Sequence, residues 1–416
     1  MKSRRIAGVA VALAAASTIA ACGGSSGKTA TLNYYIFPEP SGSFAKAASD
    51  CSKASGGRYT ITINSLPSDS DGQRQQLVRR LAAGDSGIDI IGMDVNWTAE
   101  FATAGWIRPW SGADAAQATN GVLPGPIATA TWNGKLWGAP LNSNTQLLWY
   151  RKDLVPNPPL TWNQMIQDAI NLAKQGKPHY IEEQGRQYEG YTVWFNSLVD
   201  SAGGQILSGP NTVSLGPPAR EAATIIHDLA NSPAADPSLS NDQEDQGRLA
   251  FEAGNAAFEI NYPFVWPSAQ SLAPKIFKVM GYAPYPRVNP GIAPHVTIGG
   301  INLAVSRHSA HPAEAFAAIL CMASPSHQLT DAIKGGLPPT LASLYDDPSL
   351  AKPYPFHQLI KQQLSTFGIR PKTPVYSDVS LAVQKTLSPP SSVNPFTAVQ
   401  QLRSDIKAAL GSGALL

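Results

Sequence analysis

Apolar positions along the chain fall first into short runs with a two-residue beat. "ATLNYYIF" (30–37) and "RYTITINSLP" (58–67) read as strands, and "IDIIGMDV" (88–95) as a short buried strand ending in a carboxylate. Between them the beat changes. "GSFAKAASDCSKASGG" (42–57) predicts a helix closed by glycines, and Gln73, Leu77, Arg80 and Leu81 recur at helical intervals within 71–87. Strand, helix, strand, helix, strand predicts a parallel α/β layer. Further strand-like runs at 135–151, 256–264, 277–286 and 295–306 are separated by helical ones. "VPNPPLTW" (155–162) reads as a structured loop into a Thr-capped helix, with Trp162 in the core. No repeat of solenoid period interrupts the pattern.

Ligands of open α/β sheets sit beyond the carboxyl ends of the strands, which puts Asp94 and the loop after Phe37, with Glu39, where a ligand is expected. Asp94 also suits the N-cap of the helix that "WTAEFATAGW" predicts, and one carboxylate can do both.

The first residues carry a different signal. Lys2, Arg4 and Arg5 precede a largely apolar run from Ile6 to Ala21, shorter than the roughly 20 residues that span a bilayer, so 1–21 read as a secretory signal. Ile19-Ala20-Ala21-Cys22 resembles the bacterial lipobox, which implies that Cys22 is acylated and begins the mature chain, with 22–29 as anchor and flexible tether. The remainder, about 390 residues, is long enough for two domains and has no apolar run of transmembrane length.

Charge removes one class of partner. Lys and Arg number 31 against 29 Asp and Glu, without basic blocks, which argues against nucleic acid. Nine Trp and 13 Tyr suit a surface that stacks on a neutral polar ligand, although most aromatic residues belong to cores. Outside the cytoplasm Cys51 and Cys321 can form a disulfide, and without a clustered histidine they are not a metal site.

Catalytic signatures are missing. No serine follows a strand in a G-x-S-x-G elbow, and there is no H-E-x-x-H, P-loop or G-x-G-x-x-G. The neighbouring pairs Glu182-Glu183 and Asp346-Asp347 are expected in solvent, not facing each other across a scissile bond. The chain is therefore not expected to be an enzyme or to use a cofactor or metal.

"GAPLNSNTQLLWYRKDLVPNPPLTWNQMI" (138–166), "GRLAFEAGNAAFEINYPF" (247–264) and "TIGGINLAVS" followed by "HPAEAFAAILCMAS" (297–324) resemble the extracellular solute-binding proteins of sugar ABC importers. "MDVNWTAEFATAGW" (93–106), "NTQLLWYR", "GGLP" and "RPKTPVY" are similar to segments of the mycobacterial trehalose-binding lipoproteins within that family. The resemblance implies a periplasmic-binding-protein-like α/β fold of two lobes, 30–140 with 287–337 and 141–286 with 338–416. Three crossings, near 140–145, 283–290 and 336–341, would form the hinge of a ligand cleft. It also implies a Cys51–Cys321 disulfide within the first lobe. The expected protein is a monomer that hands a disaccharide, trehalose or a relative, to two permease subunits driven by a cytoplasmic ATPase pair. A receptor for glycerophosphodiesters or another oligosaccharide is the alternative on the same fold, and a surface carbohydrate-active enzyme the alternative of another class.

Carried over residue by residue, the resemblance places Asp94, Asn144, Glu244 and Arg370 in the cleft, with Asp245 a competitor for the role of Glu244. Tyr262 stands where the relatives have Trp, a smaller stacking platform with an added hydroxyl. Gly299 and Gly300 either let backbone approach the ligand or make a strand bulge.

Overall fold

The computed structural model describes residues 29–412, so the expectations placed on 1–28 (the signal segment, Cys22 and most of the tether) lie outside the described residues. Two sheets organise the chain. In the first, the strands run Tyr59–Ser65, Ala30–Ile36, Ile90–Asp94, Ile301–Val305 and Ala139–Asn142. The first three are mutually parallel, joined by the helices Ser43–Ala54 and Ser70–Ala82, as the alternating pattern requires. Ile301–Val305 arrives from elsewhere in the chain and pairs antiparallel with Ile90–Asp94 and Ala139–Asn142. The second sheet runs Met280–Ala283, Leu147–Arg151, Ala256–Asn261 and Tyr180–Glu182.

Each sheet has its own core, which makes the fold a two-lobe α/β structure. Leu32, Ile90, Leu303 and Ile319 are fully buried in the first lobe, and Leu148, Trp194, Ile226 and Phe258 in the second, each worth about 1.5–3 kcal/mol of apolar burial. The Pro-rich loop ends as expected. The Thr161 hydroxyl accepts from Gln164 N (3.1 Å) to cap Trp162–Lys174, and Trp162 is buried against Trp194 and Tyr285. Cys51, on the first helix, is bonded to Cys321, on the helix Pro312–Met322, with their Cα atoms 5.8 Å apart.

The chain passes between the sheets in adjacent strands. It leaves the first sheet at Asn142 and enters the second at Leu147. Val288 and Val296 still pack in the second core, after which Gly299 and Asn144 exchange both backbone hydrogen bonds (2.8 and 3.0 Å). The last passage lies alongside, since Ser143 N donates to Pro338 O (2.9 Å). Among the described residues no helix is long and apolar enough to cross a membrane.

Candidate ligand cleft

The candidate site lies where these crossings meet the carboxyl end of Ile90–Asp94. Gly300 sits there at φ +119, with its carbonyl accepting from Val95 N (3.2 Å). A β-carbon on Gly299 would lie 3.4 Å from Asn144 Cβ and 3.9 Å from the Tyr262 ring, so Asn144, Gly299 and Tyr262 share one wall. Tyr262 follows the strand Ala256–Asn261, and the Asn261 side chain fixes its backbone by accepting from Tyr262 N (2.8 Å).

Asp94 does not cap the helix Thr98–Thr103, whose N-cap position is Trp97, but acts one turn earlier. It caps the short helix Val95–Trp97 through Asn96 N (3.4 Å), and it reaches across to Arg370, whose Nη2 donates to Oδ1 at 2.7 Å. Ser70 Oγ holds the other oxygen (2.9 Å). Arg370 is buried, and its Nη1 donates to Glu189 (2.8 Å), which leaves Nε without a partner. Burial favours the neutral form of Arg370, but Asp94, Tyr376 and Glu189 hold its pKa well above the ordinary value.

Glu244 and Asp245 divide as their positions on the helix Glu244–Ala253 dictate. Asp245 is exposed and pairs with Arg248 (3.1 Å). Glu244 points inward, where burial raises its pKa, the Tyr188 phenol lowers it and Asp94 raises it again. Tyr262 feels Glu244, Arg370, Asp94 and Glu183, so these groups form one electrostatic neighbourhood. Glu39 is engaged elsewhere: its carboxylate accepts from Ser41 N (2.7 Å) and Ser43 N (2.9 Å) at the start of the first helix.

The adjacent acids Glu182 and Glu183 are not in solvent; they are 1 % and 0 % exposed. Asp236, Asp242 and Glu259 act on Glu182, while Glu183 feels Glu244 and Glu259 and itself acts on Tyr188 and Tyr262. Glu183 Oε1 accepts from Gln184 N (3.0 Å), and Oε2 has no partner. Burial, reinforced by Glu244 and Glu259, pushes its pKa well above the ordinary carboxylate range. The sequence pattern missed Glu183, Glu189 and Tyr188. A two-acid run looks solvated, and only tertiary contacts bury it.

With this geometry in view, likeness to known proteins is informative. Residues 25–329 match the family described as bacterial extracellular solute-binding protein. The chain belongs to that family. Its members bind solutes and are not enzymes. A probable ABC transporter-binding protein of Deinococcus radiodurans is 28% identical over 377 residues, covering 85% of this chain and 87% of that one. Maltose-bound MalE3 of T. maritima superposes with a TM-score of 0.84 at 25% identity, covering 91% of this chain and 100% of the other. The GacH receptor of Streptomyces glaucescens, solved unliganded and with acarbose, gives 0.81 at 21% identity over 92% and 99% of the two chains. The two-lobe binding-protein fold is common to all three structures.

Proposed function

We propose that this solute-binding protein is the lipid-anchored receptor of an ABC importer, and that its cleft takes a neutral disaccharide, trehalose or a close relative. One observation carries the reading. Buried polar atoms without partners occur at or beside the crossings: Ser143 Oγ, Gln146 Oε1 and, on the arginine paired with Asp94, Arg370 Nε. Unpaired buried groups cost about 1–3 kcal/mol each, and a ligand rich in hydroxyls, which both donate and accept, relieves them. Tyr262 supplies a face for a sugar ring.

Charge favours a neutral ligand over a phosphodiester. The Arg370 fork is already held by Asp94 and Glu189, so an incoming phosphate would have to compete with two carboxylates for it. Maltose in the T. maritima relative is consistent with a glucose disaccharide, and the motifs at 93–106 and 370–376 support trehalose. In this reading Asp94, Asn144, Glu183, Glu244, Tyr262 and Arg370 touch the sugar, Gly299 clears its approach, and the monomer passes it to two permease subunits.

A thermal-shift series with trehalose, maltose, sucrose, glycerophosphocholine and phosphorylated sugars tests the ligand. Trehalose at a hundredfold excess over its Kd should stabilise the fold by about 2.7 kcal/mol, and no shift with any disaccharide removes the sugar reading. Calorimetry then tests the site. Glu244→Ala and Tyr262→Ala should each weaken binding roughly tenfold to a hundredfold with the unliganded melting temperature nearly unchanged. Unaltered affinity in both moves the site elsewhere.

Anchoring rests on Cys22. Cys22→Ala should leave an uncleaved precursor that no longer fractionates with membranes as the acylated form does, whereas mature protein of unchanged mass and membrane affinity refutes the anchor.

A further inference from the structure

Three helices of the first lobe meet at the Cys51–Cys321 disulfide. Cys51 lies on Ser43–Ala54, Cys321 on Pro312–Met322 and His327 on Pro325–Gly335. The chain order hides the third of these residues, since His327 is 276 positions from Cys51, but the fold sets a histidine beside the two cysteines. His327 Nδ1 stands 3.9 Å from Cys51 Sγ, and the two sulfurs and one imidazole nitrogen all lie within 4.8 Å of one another. The other ring nitrogen, Nε2, faces Asp50 Oδ2 at 3.6 Å, on the same helix as Cys51. Cys51 is fully buried while Cys321 and His327 are half-buried, so the group opens to solvent on one side.

We propose that reduction of this disulfide turns the place into a zinc site, with Cys51 Sγ, Cys321 Sγ and His327 Nδ1 as ligands and Asp50 as the positioning residue of the imidazole. A dithiol reductant passes two electrons and two protons to the disulfide and becomes a disulfide itself, which leaves two thiols on the protein. Zinc takes both as thiolates, and their two protons go to solvent. Tetrahedral zinc holds sulfur at about 2.3 Å and imidazole nitrogen at about 2.0–2.1 Å, which sets neighbouring donors roughly 3.5 Å apart. The spacing of His327 Nδ1 and Cys51 Sγ is already close to that, and the sulfurs have only to separate once their bond is cut. Nδ1 now contacts Cys321 O (2.9 Å) and Ser324 Oγ (3.1 Å). As a ligand it carries no proton, and Nε2 carries one instead, directed at the Asp50 carboxylate. An outer carboxylate of this kind fixes both the tautomer and the ring of a zinc-bound histidine. Lys46 Nζ donates to the same Asp50 oxygen (2.6 Å) and anchors it on its own helix. Two thiolates and an imidazole select zinc over magnesium or calcium, and the fourth position, on the solvent side, is left to water. Disulfide and zinc are then alternative staples for the same three helices.

Cobalt(II), a spectroscopic stand-in for zinc, tests this on the mature chain reduced by a phosphine, which takes oxygen from water as it delivers the two thiols. The reduced wild type should bind one equivalent with thiolate-to-metal absorption in the near ultraviolet, and zinc should displace it. Asp50→Asn should weaken binding roughly tenfold to a hundredfold while leaving the melting temperature of the oxidised protein unchanged, and His327→Ala should weaken it by more. Zinc-loaded protein should also re-form its disulfide more slowly than the metal-free dithiol. A reduced wild type without thiolate absorption overturns the site, as does the same absorption in the oxidised protein or unchanged affinity in His327→Ala. Unchanged affinity in Asp50→Asn overturns the positioning role. If reduction alone unfolds the chain, zinc should restore its circular dichroism and His327→Ala should lose that rescue; a reduced chain that zinc does not refold overturns the site as well.

Discussion

Replacing Gly300 with alanine should destabilise the protein by about 3 kcal/mol or more, while the same change at Gly299 should leave the fold nearly intact. Gly300 is at φ +119, where a side chain is strained regardless of space, and its β-carbon would lie 2.2 Å from Asn142 O and 2.8 Å from Ser143 Cα. Both obstacles are backbone of the neighbouring crossing, so neither can rotate away. The damage falls on the hinge itself, where Gly300 O binds Val95 N and the preceding residue, Gly299, pairs with Asn144. A β-carbon on Gly299 meets Asn144 Cβ at 3.4 Å, an ordinary contact that crowds only the Tyr262 side of the cleft. Urea unfolding at 25 °C separates the two: a Gly300→Ala protein within about 0.5 kcal/mol of wild type would mean that the hinge backbone adapts freely.

That pair of glycines also shows what a sequence can disclose. Two glycines before an alternating apolar run announce a backbone constraint, but which of them carries it depends on the neighbouring crossing, more than 150 residues earlier in the chain. The three parallel strands and their helices were legible because their signals are local, as was the place of Asp94 at a strand end. Glu189 was not. Its partners Asp71, Arg370, Tyr376 and Ser380 lie 118, 181, 187 and 191 positions away, and no local pattern marks a carboxylate whose contacts are all distant. Arg370 was placed in the cleft by motif, but a motif does not reveal that two carboxylates hold its fork. Glu182 and Glu183 misled for the same reason, because charge predicts solvent unless the fold supplies neighbours that keep the group protonated.

Those protonated acids set the largest expected response to solution conditions: stability should fall steadily as pH rises from 5 to 8. Burial, reinforced by Asp236, Asp242 and Glu259, raises Glu182 from 4.5 to about 10. Burial raises Glu259 from 4.5 to about 8 and Asp200 from 3.8 to about 8. Each group keeps a proton in the folded state that the unfolded chain has released, so its stabilising contribution is complete below the unfolded pKa and is lost as pH climbs through the window to the folded one. The slope reaches about 1.4 kcal/mol per pH unit for each such group. Surface carboxylates that ion pairs hold low, such as Asp85 with Arg80 and Asp153 with Arg151, have the opposite sign, but they act as pH falls below about 4, outside this window. Glu182→Gln replaces the protonated acid with a neutral group of the same shape, and it should flatten the decline and raise stability at pH 8 relative to wild type. Urea midpoints at pH 5, 6, 7 and 8 for the two proteins decide it; a flat or rising wild-type profile, or an unchanged slope in the variant, would show that Glu182 ionises without cost. The consequence extends to the cleft, because the helix that carries Glu244 rests on this cluster through Gly247, where a β-carbon would stand 3.3 Å from Glu182 Cβ. Ionising Glu182 beneath that helix loosens the support of a cleft carboxylate, so solute affinity should weaken over the same pH range as stability.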